Sequence, residues 1–145
     1  MLPKQLYWTF LVLVCAYAFW RGRSDERLAA GVALFATLAT HLVISPNPVR
    51  YSSEETGVMI VDLATFAAFT LIALKSHRFW PLWVAGLQLT TTMAHFLKAV
   101  HLDLLPRAYA AALVFWSYPI LIIVAIGTWR THQRRIEAER RRAAL

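Results

Sequence analysis

The stretch "LQLTTTMAHFLKAVHLDLL", residues 87–105, decides how this chain is read. It follows "FWPLWVAG" and completes an apolar block, yet it carries Gln88, Thr90, Thr91, Thr92, His95, Lys98, His101 and Asp103. A helix rises about 1.5 Å per residue and a bilayer core is about 30 Å thick, so a span needs about 20 residues. Polar groups in such a segment are costly unless they face protein. The block therefore reads as a span with one polar, inward face. Residues 88, 92, 95 and 99 share that face, and 91 lies beside it.

Working outward, four more apolar blocks appear, at 6–20, 28–44, 58–74 and 109–129. With their flanks they predict an all-α membrane protein, a bundle of five transmembrane helices over about 3–20, 28–44, 53–75, 80–102 and 107–129. Residues 130–145 form an Arg-rich, helical cytoplasmic tail. The whole is one polytopic domain. Of its 145 residues, 59% are hydrophobic and 16% charged. Soluble domains run nearer 45–50% and about 25%.

The punctuation agrees. Pro3, Pro81 and Pro106 fall at span starts, where a missing N–H costs nothing. "SPNP", residues 45–48, stops the second span. Ser52 with Glu55 fits a capping box for the third. Pro119 predicts a kink in the fifth.

Orientation follows from charge. Arg21, Arg23, Arg27, Lys75, Arg78, Arg130, Arg134, Arg135, Arg140, Arg141 and Arg142 fall on one side, eleven of the 15 Lys and Arg. Lys4, Arg50, Lys98 and Arg107 fall on the other. The positive-inside rule puts the N-terminus out and the C-terminus in the cytoplasm, as in a bacterial inner membrane. Trp20, Trp80 and Trp129 fall at the inner boundary and Trp8, Tyr51 and Tyr109 at the outer one, as aromatic belts do. Arg134, Arg135, Arg140, Arg141 and Arg142 then sit where anionic lipid headgroups, or an acidic partner, would meet them. In the tail, Glu137 and Arg141 are spaced for an i,i+4 pair.

The net charge of +7 does not point to nucleic acid. The basic residues flank apolar spans, and no recognition-helix, zinc-finger or RNA-binding signature is present. The single cysteine, Cys15, permits no internal disulfide. The first block lacks a small-residue cleavage pattern and reads as a retained span.

At the outer depth of the polar stripe, the second span offers His41, with Thr37 and Thr40 near it, and the third offers Asp62, with Thr65. The pattern predicts a polar cluster of His41, Asp62, Gln88, Thr91, Thr92 and His95 in the outer half, with His101 at the interface. As a packing device in a non-catalytic accessory or scaffold subunit, its members hydrogen-bond one another. Alternatively, His41 and His95 are cofactor-binding, the axial ligands of a b-type haem in a redox subunit. A third reading is a component of proton or ion transport, but the inner half offers no matching acidic groups. An enzyme is the least supported reading. A two-His, one-carboxylate metal set can be drawn, but no HExxH, G-x-S-x-G or P-loop motif is present. His95 and His101 also point to opposed sides of the helix. Ala29, Ala33 and Ala36, and Ala64 and Ala68, are spaced for close helix approach, within the bundle or in a homo-oligomer or larger membrane complex.

Overall fold

The computed structural model of the protein describes residues 4–44, 51–100 and 106–145, with side chains at 5–44, 56–97, 100 and 115–145. The 45–48 stop, His101, Asp103 and the Ser52 and Glu55 side chains lie outside the described residues. The described chain is all-helical: α1 (Lys4–Arg21), α2 (Ser24–Val43), α3 (Tyr51–Lys75), α4 (Trp80–Val100) and α5 (Pro106–Ala143). α5 contains Pro119 and continues through the Arg-rich segment to Ala143.

Each helix packs on the next in sequence, and α5 returns to α1, closing a five-membered ring. α2 also touches α5 across the middle, whereas α2 and α4 do not meet among the described residues. The hydrogen bonds fix an up-and-down arrangement with two distinct ends. The α1–α2 and α3–α4 connections meet residues 131 and 132 of α5 at the Arg-rich end. Asp62 of α3 and His95 of α4 meet toward the other.

Helical periodicity explains the packing. The buried positions of α1 are Leu11, Val14, Cys15 and Ala18, an i, i+3, i+4, i+7 stripe. In α4 the same rhythm runs through Pro81, Val84, Ala85, Gln88, Thr91, Thr92 and His95, so the stripe begins apolar and becomes polar. α5 contributes Ile120, Leu121, Val124, Thr128 and Thr131. Small side chains let helices close up. The Cys15 thiol reaches the Ala30 carbonyl at 3.5 Å, and the Trp80 indole lies over Gly127, where a Cβ would come within 3.1 Å of the ring.

Large apolar side chains are exposed on every helix among the described residues. Val12 and Leu13 of α1, Phe35 and Leu42 of α2, Ile60 and Leu74 of α3, Met93 and Phe96 of α4, and Phe115 and Ile126 of α5 are all exposed. Among the described residues, two helical segments, Ser24–Val43 and Thr56–Lys75, are long and apolar enough to cross a membrane. α4 carries a Gln, Thr and His stripe that lowers its apolar character.

Candidate functional site

Two polar centres lie inside the ring. The first is built by the α4 stripe against α3. The Asp62 carboxylate accepts a hydrogen bond from His95 Nε2 at 2.7 Å through one oxygen. Its other oxygen faces Gln88 Nε2 at 3.4 Å. A carboxylate only accepts, so Nε2 is the ring nitrogen that carries the hydrogen. The His95 side chain is 5% exposed and that of Asp62 16%. The pair is thus largely shielded, where such a contact is not diluted by water. The neighbouring hydroxyls are satisfied locally. Thr92 donates to the Gln88 carbonyl at 3.0 Å, Thr91 to that of Leu87 at 3.4 Å, and Thr65 to that of Val61 at 2.7 Å.

The structure brings Asp62, Gln88 and His95 together, with Thr91 and Thr92 buried beside them. It does not bring His41 to them. The face of α2 carrying residues 33, 37 and 41 turns to α1, not inward to α3. Thr37 meets the Tyr7 hydroxyl at 3.2 Å, and the exposed His41 ring packs edge-on against Trp8 at 5.5 Å. The His41 ring thus meets α1, away from the Asp62–His95 pair. Among the described residues, no group of three His, Cys, Asp or Glu side chains could hold a metal ion.

The loss of Asp62 removes the carboxylate acceptor shared by His95 and Gln88, whereas His95→Gln keeps a donor within reach of Asp62. Hydrogen bonds inside membrane bundles are worth about 0.6 kcal/mol on average and at most about 1.7. Asp62→Ala is therefore expected to cost about 1–2 kcal/mol in unfolding titrations of the detergent-solubilised protein, and His95→Gln less than about 1 kcal/mol. Equal losses from the two variants would contradict Asp62 as the shared acceptor.

The second centre was missed in the sequence. Glu26, in the first turn of α2, is 0% exposed. One of its oxygens accepts from Arg78 Nη1 at 3.0 Å and from the Thr131 hydroxyl at 2.7 Å. The other accepts the Arg23 backbone N–H at 2.9 Å, which caps the start of α2. Arg78 Nη1 also contacts the Thr131 hydroxyl. Beside this knot, the Ser76 hydroxyl donates to Asp25 at 2.7 Å, and Arg21 Nη1 donates to His132 Nε2 at 3.3 Å. The available signal was the pair Asp25–Glu26 within an otherwise basic connection, with acidic groups favoured at a helix start.

Further along α5, the Arg-rich segment is helical. Arg135 Nε pairs with Glu139 at 3.5 Å across one turn. Both side chains are well exposed, so the pair adds little stability. A cleft of about 540 Å³ opens between this segment and the two connections, lined by Arg23, Arg78, Arg134, Arg135 and Arg142 among others. Arg140 and Arg141 do not line it. No protein-family model, curated protein or solved structure matches the chain.

Proposed function

We propose that all five helices cross a bilayer, with the N-terminus outside and the Arg-rich tail in the cytoplasm. We further propose that the chain is a non-catalytic accessory or scaffold subunit of the membrane, of the bacterial inner-membrane type. The observation that carries this reading is the inverted distribution of side chains. Large apolar groups cover the outside of all five helices, while Glu26, Gln88, Thr92, His95 and Thr131 are buried within. Soluble monomers rarely expose contiguous apolar patches beyond a few hundred Å². The polar content of α4 fits the same reading. Tyr and Trp suit the membrane interface, and the polar stripe of α4 is covered by α3.

The pairing of the buried groups supports a structural role for them. Asp62 ties α3 to α4, and Glu26 ties α2 to the α3–α4 connection and to α5. A haem on His41 and His95 would require His41 to leave Trp8, and a bond through Nε2 would displace Asp62. The pairing therefore favours packing over cofactor binding.

Reporter fusions and a visible spectrum test the proposal together. Alkaline phosphatase fused near residue 48 is expected to be active, and the same enzyme fused after residue 145 inactive. The purified protein is expected to show no Soret band. Activity after residue 145 would reverse the orientation, and a Soret band would replace the scaffold reading with a haem-bearing redox subunit.

A further inference from the structure

The cleft at the Arg-rich end has more positive charge than its own structure uses. Five guanidinium groups, from Arg23, Arg78, Arg134, Arg135 and Arg142, line it. Only two carboxylates answer them: Glu26 beneath Arg78, and Glu139 on Arg135. Three positive charges are left over, and Arg23, Arg134 and Arg142 have no carboxylate partner among the described residues. Like charges gathered without a counter-ion repel, so an anion that fills the cleft relieves a cost already present in the fold.

Three segments assemble the cleft. Arg23 comes from the α1–α2 connection, Arg78 from the α3–α4 connection, and the rest from α5. On α5 the lining residues Thr131, Arg135, Ala138 and Arg142 follow an i, i+4, i+7, i+11 face, and the small Ala138 leaves room between the two arginines. Arg78 is held in place from below by Glu26 and Thr131. Its guanidinium has five N–H donors, so others remain to face the cleft. The volume, about 540 Å³, falls within the range of small-molecule sites, roughly 300–1,000 Å³. Guanidinium forks match phosphate oxygens two at a time.

We propose that this cleft is a binding site for a pair of phosphate groups carried on one molecule. The exposed Trp20 and Trp129 lie at the same end of the bundle. If this end meets the inner membrane surface, as proposed above, the cleft stands at headgroup level, where basic pockets between helices take anionic lipids. A soluble diphosphate also carries two phosphates, closer together and more highly charged, and reaches the cleft from the aqueous side. The proposal differs from a diffuse attraction of the whole tail, because it assigns binding to a subset of the arginines.

The test uses the full chain in neutral detergent, titrated with diphosphatidylglycerol, with phosphatidylcholine, and with inorganic pyrophosphate. Native mass spectrometry reads stoichiometry and thermal unfolding reads affinity. One diphosphatidylglycerol or one pyrophosphate per chain is expected, and whichever binds more tightly identifies the source. Arg23→Gln with Arg142→Gln is expected to weaken binding roughly tenfold or more, since charge-assisted contacts are lost. Arg140→Gln with Arg141→Gln removes the same charge outside the cleft and is expected to leave affinity within about threefold. Arg134→Gln with Arg142→Gln is the second cleft pair, used if the first fails to fold. Equal weakening by cleft and control pairs would overturn the proposal, as would wild-type protein that prefers neither phosphate ligand to phosphatidylcholine. Alkaline washing of the source membranes reads the membrane assignment separately: a chain released by the wash would sink that assignment while leaving the pyrophosphate result to judge the cleft.

Discussion

Arg78→Met is expected to destabilise the protein by about 3 kcal/mol, the low end of the roughly 3–5 kcal/mol seen when one partner of a buried ion pair is removed. The low end applies because the Arg78 side chain keeps 22% of its exposure, so part of its charge is already shared with solvent. Glu26 has no such outlet. At 0% exposed, its carboxylate would retain only the Thr131 hydroxyl and the Arg23 N–H. Adding Glu26→Gln to Arg78→Met removes the stranded charge and keeps a carbonyl acceptor for the Arg23 N–H, while the Thr131 hydroxyl can turn to accept from the amide NH2. The double variant is therefore expected to regain most of the loss, and unfolding titrations of the four proteins give the coupling directly. A single variant within about 1 kcal/mol of wild type would mean that Arg78 does not compensate Glu26.

The next largest effect is expected at Gly22, in the two-residue connection between α1 and α2. A Cβ there would collide with the Ala18 carbonyl oxygen and come within 2.8 Å of the Glu26 Cβ. The carbonyl accepts the Gly22 N–H at 2.9 Å and cannot turn aside. Gly22→Val must therefore push α1 from α2, and overpacking of this kind costs about 1–3 kcal/mol. The displacement also moves Glu26, so thermal midpoint and protease resistance should fall together. Gly31→Ala is the contrasting case. A Cβ at Gly31 meets nothing within 4 Å, so helix propensity is expected to raise stability by about 1 kcal/mol. A Gly22→Val protein as stable as wild type would show that the corner is looser than this contact implies.

Parts of this arrangement were legible in the residues. Five helices could be counted because apolar blocks alternate with prolines and charges. The inward face of α4 was visible because Gln88, Thr92 and His95 recur at helical spacing in an apolar segment. Asp62 was matched to His95 by depth alone, which suffices for adjacent antiparallel helices. The same argument misled for His41. It fixes height along the bundle axis but not the direction in which a helix face turns, and α2 turns that face to the aromatic side chains of α1. Glu26 was illegible for another reason. A glutamate among arginines in a short connection reads as solvated, and what buries it comes from far away in the chain. Its bond to Thr131 joins residues 105 positions apart.

That separation bears on how the molecule is made. A ribosome delivers the helices in order, and α1 with α2, then α3 with α4, can pair as each hairpin emerges. α5 packs on α1, and it brings Thr131 and His132 to partners more than 100 residues earlier in the chain. Without α5, the Glu26–Arg78 pair would lack the Thr131 hydroxyl that now contacts both. Contacts of such long sequence separation form more slowly than those within a hairpin, so closure of the ring is expected to follow the pairing of neighbouring helices.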